Sequence, residues 1–219
     1  MGKCVILDYG LVLCHAPEER EIKKISEIFG IDPSTFWTRY ERDRGLYDRG
    51  DLSAEEYWQK FGQGARAKLE AGEIEWLRKC DIEMWSRLKK PLLDWVGDLG
   101  AAGYKTGILS NLNKEFALHM RTKCDWLKRF DVQVFSSEVG MIKPDATIYR
   151  HCLQLLRAEP SEALFVDDRE ANIVAARREG ITSVHFLSTE QLRTELEGLG
   201  FEVLPPVKGA LTSSGIAEN

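Results

Sequence analysis

A chain of 219 residues, 43% hydrophobic and 30% charged, has the make-up of a globular protein that can bury a sizeable core. Its net charge of -5, with dispersed basic residues, argues against a nucleic-acid footprint. No apolar run approaches the roughly 20 residues of a membrane span. The five cysteines are scattered without a CxxC or Cys/His cluster, which points to reduced thiols in a cytoplasmic protein and to no zinc site.

The N-terminus is too short and too soon charged for a signal peptide. Residues 3–7 predict a strand, closed by Asp8, and Tyr9-Gly10 reads as a turn. From about residue 16 to residue 90 there is no strand pattern. Amphipathic helices are expected over 18–29, 34–44, 53–62 and 73–88. Asp32-Pro33-Ser34 gives a turn and helix start, and Ser53-Ala54-Glu55-Glu56 is a capping box. Beyond this insert, strands predicted at 105–109, 132–135, 164–166 and 183–187 alternate with helices at 92–102, 114–129, 146–157 and 171–178. Such alternation predicts a parallel sheet with helices on both faces. The polar end, 205–219, reads as a frayed tail. The expected organisation is a core of residues 1–15 and 91–204, a helical insert of residues 16–90, and the tail.

In a parallel sheet, functional residues collect at the carboxyl ends of the strands. Asp8, Ser110 and the Asp167-Asp168 pair all fall there, and Lys143-Pro144-Asp145 lies between the last two. Each has a plainer reading alone: a turn start, a strand-end hydroxyl, a solvated lysine, an acidic helix start favoured by the helix dipole. Together they form the charge set needed to hold a phosphate and a divalent metal. Adjacent aspartates at a buried strand end are costly without a cation.

These four elements, in this order, resemble the haloacid dehalogenase-like hydrolase superfamily. The phrase from Phe135-Ser136-Ser137-Glu138 through Met141-Ile142-Lys143-Pro144-Asp145 to Tyr149 strengthens the resemblance. A helical insert after the first strand is similar to the cap of its subfamily IA members. Tyr47-Asp48-Arg49-Gly50-Asp51-Leu52-Ser53 is similar to the sugar-1-phosphate phosphatase branch.

The resemblance implies an α/β, Rossmann-like parallel-sheet core with a small inserted helical cap. It implies a Mg²⁺-dependent phosphatase for a small phosphorylated metabolite, with a sugar phosphate as one candidate, working through an aspartyl-phosphate. Asp8 would be the nucleophile. Asp8, the Gly10 carbonyl and Asp168 would hold Mg²⁺, with Asp167 acting through a water and Asn172 orienting another. Ser110 and the Asn111 backbone N–H would grip the phosphoryl oxygens, and Lys143 would neutralise charge. Arg44 and Arg49, with Tyr47, are expected on a Gly-rich loop of the cap within reach of substrate. Trp37, Trp58, Trp76, Trp85 and Trp95 fit apolar helix faces and read as packing.

Gly10 is the departure. Most phosphatases of the superfamily carry there a second aspartate, which protonates the leaving oxygen and later deprotonates water. Its loss predicts a preference for esters whose leaving oxygen is stable as an anion, unless Glu115 or an acid from the cap takes its place. The alternatives are a 2-haloacid dehalogenase and a catalytically weak binding or regulatory protein that kept the fold.

Overall fold

The computed structural model describes residues 4–65 and 68–199. The insert folds as α1 (Glu19–Phe29), α2 (Phe36–Arg42), α3 (Arg44–Arg49), α4 (Ala54–Phe61) and α5 (Ala71–Met84). The rest supplies β1 (Cys4–Leu7), α6 (Lys90–Ala101), β2 (Lys105–Ser110), α7 (Lys114–Lys123), β3 (Val132–Phe135), α8 (Ser136–Val139), α9 (Ala146–Leu156), β4 (Ala163–Asp167), α10 (Glu170–Arg178), β5 (Thr182–His185) and α11 (Thr189–Gly198).

The strands form one parallel sheet in the order β3-β2-β1-β4-β5. β1 and β4 are buried throughout and read as continuous apolar runs, as strands covered on both faces do. Alternate side chains of β1 feed two layers. Val5 and Leu7 pack with Leu92, Val96 and Phe116, while Cys4 and Ile6 pack with Ile148, Cys152 and Ile173. Chain order reverses at β1, which opens a crevice at the carboxyl ends of β1, β2 and β4.

The insert has its own core, built on Ile25, Phe29, Phe36, Tyr57, Trp58 and Phe61. Its rings interlock, with Phe29–Phe61 centroids 4.8 Å apart and Tyr47 stacked on Tyr57 at 4.4 Å. The Ser53 capping box forms as expected: Ser53 N donates to Glu56 Oε2 at 2.8 Å, and Ser53 Oγ accepts from Glu56 N at 3.2 Å.

Several sequence expectations are corrected. The helix expected over 34–44 breaks at Asp43, whose backbone leaves the helical region (φ -115, ψ 8). The segment expected as a Gly-rich loop is α3, ending at Gly50 in the left-handed conformation (φ 88). Arg44, Tyr47 and Asp48 all bury on this helix, so tertiary packing overrides Gly45. The helix expected over 114–129 ends at Lys123, and a 3₁₀ turn at Asp125–Arg129 turns Trp126 onto Tyr9, stacked at 5.9 Å. The helix expected over 73–88 runs instead over α5, and α8 and α11 were not foreseen. Lys3 and the expected tail lie outside the described residues. Among the described residues the five cysteines are free thiols, and no helix is long and apolar enough to cross a membrane.

Candidate active site

The crevice holds a cavity of about 200 Å³. Its floor is made by the ends of β1, β2 and β4. Asp8 is fixed because its N–H donates to Val166 O at 2.9 Å, and its Oδ1 accepts from Tyr9 N at 2.7 Å. Lys143 Nζ lies 2.8 Å from Asp8 Oδ1 and 2.6 Å from Asp167 Oδ2, and donates to Leu109 O at 2.9 Å. The buried Ser110 hydroxyl favours the ionised form of the Asp8 carboxyl. Asn111 clamps the Lys143 segment: its Nδ2 donates to Lys143 O at 3.0 Å and its Oδ1 accepts from Lys143 N at 2.9 Å.

The structure thus brings together Asp8, Ser110, Asn111, Lys143 and Asp168, all of which line the cavity with Gly10. Asp167 is fully buried behind them. It accepts from Lys143, from Arg169 N at 2.8 Å and from Asn172 Nδ2 at 2.9 and 3.0 Å, so its lone pairs are engaged by the protein. Asn172 therefore orients Asp167 directly, a bond the sequence reading missed. The side chain of Asp168 is open to the cavity, and its carbonyl meets His185 Nε2 at 2.8 Å.

Electrostatics follow from burial. Burial pushes the Asp8 carboxyl up from its ordinary range, against the pull of Lys143 and with the push of Asp167. Asp168 is pushed up to about 7 by burial, then by Asp8 and Asp167. Burial works against the Lys143 ammonium, but Asp167 and Asp8 hold it above its usual value. Asp8, Asp167 and Asp168 present carboxylate oxygens within 4.8 Å of one another. Three carboxylates face one ammonium, an imbalance that a divalent cation with hard oxygen preference relieves. The donors present fit Mg²⁺, with Asp8, Asp168 and the Gly10 carbonyl at the cavity wall.

The insert supplies the roof. Arg44 lines the cavity but is not free: its Nε lies 2.9 Å from Asp48 Oδ1, and its Nη1 lies 3.1 Å from Asp81 Oδ1 and donates to Tyr40 OH. Arg49, on another face of α3, stays outside the cavity lining and pairs with Asp51, its Nε donating at 2.7 Å. Tyr47 does not line the cavity; its OH donates to Glu115 Oε2 at 3.0 Å, and Arg78 pairs with the same Glu115. Trp85 lines the cavity and donates to Tyr40 OH at 3.0 Å, so it is more than packing.

Further bonds seat the roof on the floor: Asn113 Nδ2 to Asp81 Oδ2 at 3.0 Å, Ser136 Oγ to Asp48 O at 2.5 Å, and Arg169 Nη2 to Glu41 at 3.0 Å. Glu41, Asp48 and Arg169 line the cavity and were not singled out from the sequence. One signal was available: Tyr40, Arg44 and Asp48 repeat at helical spacing, a cation flanked by a phenol and a carboxylate.

Comparison with known proteins agrees with this geometry. The family model for haloacid dehalogenase-like hydrolase matches residues 15–180, starting after Asp8. The chain belongs to that family. It is similar to D-ribitol-5-phosphate phosphatase of Bacteroides thetaiotaomicron, 24% identical over 96% of this chain and 94% of that protein. It is similar to bifunctional epoxide hydrolase 2 of Sus scrofa, 29% identical over 75% of this chain and 35% of that protein. The chain spans about a third or less of the length of the first curated relatives it matches. Its fold matches a haloacid dehalogenase family enzyme of Bacteroides thetaiotaomicron solved with magnesium and inorganic phosphate. That match has TM-score 0.68 and 20% identity over 84% of this chain and 93% of that one.

Proposed function

We propose that this chain is a Mg²⁺-dependent phosphatase that hydrolyses a small phosphorylated metabolite through an aspartyl-phosphate. One observation carries this: a buried ammonium between Asp8 and Asp167, with Asp168 beside them, at the floor of the cavity between core and insert. A carboxylate attacks an anionic phosphoryl group only where positive charge is held ready. The similarity to D-ribitol-5-phosphate phosphatase supports a polyol or sugar phosphate as substrate class.

Magnesium, when bound, would neutralise phosphoryl oxygens and orient them for in-line displacement. Asp8 attacks phosphorus, and its carboxylate forms the new P–O bond as the ester P–O bond breaks. The Ser110 hydroxyl and the Asn111 backbone N–H hold the phosphoryl oxygens. Lys143 offsets charge on Asp8 and on the group in transfer, and Asn111 fixes the Lys143 backbone. Asp167, saturated by Lys143, Arg169 and Asn172, holds Lys143 in place. The insert acts as the cap, seated over the cavity by the contacts of Asp48, Asp81 and Glu41 with the core.

Phosphate release from p-nitrophenyl phosphate, with and without Mg²⁺ and beside Asp8→Asn, tests the reading. Mg²⁺-dependent turnover abolished in the variant supports it. Phosphate and Mg²⁺ binding without turnover would move the chain to the binding-protein reading. Chloride release from 2-chloropropionate instead would make it a dehalogenase, in which Asp8 attacks carbon and Asp167 and Asp168 hold no metal.

A further inference from the structure

Gly10 leaves the floor of the site without the acid expected two residues after Asp8, and its backbone gives no reason for glycine. Its φ is -58 and ψ 132, a conformation any residue adopts. A Cβ there would meet only Asp8 Oδ2, at 4.0 Å. A side chain is thus not barred at this position by backbone strain or by crowding of its Cβ.

Four acids line the cavity: Asp8, Glu41, Asp48 and Asp168. Asp8 and Asp168 belong to the acidic floor. Glu41 is exposed and held by the Arg169 guanidinium, at 3.0 and 3.2 Å. Glu115 lies outside the cavity under Tyr47 and Arg78. Asp48 remains, only 7% exposed, on the roof opposite the floor.

The surroundings of Asp48 decide its protonation. Arg44 is shared by two buried carboxylates, Asp48 and Asp81, which leaves one negative charge without a counter-ion. Asp81 accepts from Tyr40 OH at 2.5 Å, from Arg44 Nη1 at 3.1 Å to each oxygen, and from Asn113 at 3.0 Å. Asp48 Oδ1 lies 2.9 Å from Arg44 Nε but has no donor aligned to bond it. An uncompensated buried charge takes up a proton, and the carboxylate with fewer donors is the one that takes it. Burial, chiefly, raises Asp48 to about 7, with Arg44 opposing and Asp81 and Glu41 adding to the rise. Tyr57 is a further titratable neighbour; α8, packed against α3, donates from Ser136 Oγ to Asp48 O and turns Glu138 towards Arg121.

We propose that Asp48 is the general acid and base of this phosphatase, supplied by the cap in place of the residue that Gly10 lacks. The proposal rests on the phosphatase reading above. Asp8 attacks phosphorus while the Asp48 proton passes to the leaving oxygen, giving the free alcohol, the aspartyl-phosphate and an Asp48 carboxylate. That carboxylate then takes a proton from the water attacking phosphorus. The bond to Asp8 breaks, and inorganic phosphate, the Asp8 carboxylate and protonated Asp48 are restored. With an acid in place, the expected bias towards stable leaving anions no longer follows. Primary alkyl phosphates such as alditol phosphates become ordinary substrates.

The test compares p-nitrophenyl phosphate with ethyl phosphate in wild type, Asp48→Asn and Asp48→Asn/Gly10→Asp, all with Mg²⁺ and with melting curves to check folding. Asp48→Asn is expected to lower kcat on ethyl phosphate by about 10²–10³-fold, and on p-nitrophenyl phosphate at least tenfold less severely. It should also abolish the alkaline fall of the ethyl phosphate profile near pH 7. Gly10→Asp, placed where the Cβ has room, should restore part of the lost rate. Equal losses on both substrates, or none, overturn the assignment of Asp48. Wild type inactive on both would instead overturn the phosphatase reading.

Discussion

Two buried triads of like composition face each other across one cavity, and they differ in how they balance charge. On the floor Lys143 stands between Asp8 and Asp167; on the roof Arg44 stands between Asp48 and Asp81. In each, one carboxylate lines the cavity while its mate is saturated by protein donors behind it. The floor carries a further carboxylate, Asp168, so its excess is two negative charges and suits a divalent cation. The roof has an excess of one, which a proton meets. On the proposed reading, the same buried-cation design serves metal binding at one end and proton holding at the other.

The largest effect should come from Asp8→Asn, which removes the proposed attacking oxygen and one proposed metal ligand. Mg²⁺-dependent turnover should fall on the order of 10⁴-fold or more. The rise in melting temperature that Mg²⁺ gives the wild type should shrink with it. Retained turnover would move the nucleophile elsewhere and end the comparison.

Removing each cation tests the triads against one another. Lys143→Met and Arg44→Met each leave two buried carboxylates unpaired, at a cost of about 3–5 kcal/mol. The rescue should differ. Added Mg²⁺ should restore much of the stability of the Lys143 variant, because the proposed metal site adjoins it. Lowering the pH towards 5.5, and not adding Mg²⁺, should restore the Arg44 variant. Thermal melts over both variables read this out, and matching rescue in both variants would make the proposed difference false.

These triads were not equally legible in the sequence. The floor was, because a parallel sheet delivers strand ends to one edge, so Asp8, Ser110 and Asp168 announce themselves by following apolar runs. Lys143 was found through the phrase around it. The roof was hidden because its charges sit on helices among aromatic residues, where no strand end marks them and the helical spacing of Tyr40, Arg44 and Asp48 was the available cue. Gly45 and Gly50 suggested a loop, yet burial of Arg44, Tyr47 and Asp48 makes α3 a helix. Asp81 belongs to a helix whose sequence gave no sign that Asn113 of the core would meet it.

The roof proton should also register in stability. Asp48 rises from 3.8 to about 7 on folding, so the folded chain keeps a proton that the unfolded chain releases. Its contribution is present below about pH 4 and is lost as pH climbs to about 7, a slope worth on the order of 2–4 kcal/mol. Asp168 shifts in the same direction, so the melts belong in saturating Mg²⁺, which suppresses its share. Asp48→Asn should flatten the remaining slope, and an unchanged slope would place the proton on another group.

The smallest effect concerns Gly10, which lines the cavity beside Asp8. The left-handed backbone of this turn falls on Leu11 (φ 53), one residue later, so glycine is not needed at position 10. Ala fits the conformation, and its Cβ stays 4.0 Å from Asp8 Oδ2. Gly10→Ala should therefore stabilise the protein by about 0.4–1 kcal/mol by restricting the unfolded chain. A fall in melting temperature would mean that the space beside Asp8 is closed. The donor would then sit on the cap because the floor has no room for it, and a missing side chain at Gly10 would no longer be the explanation.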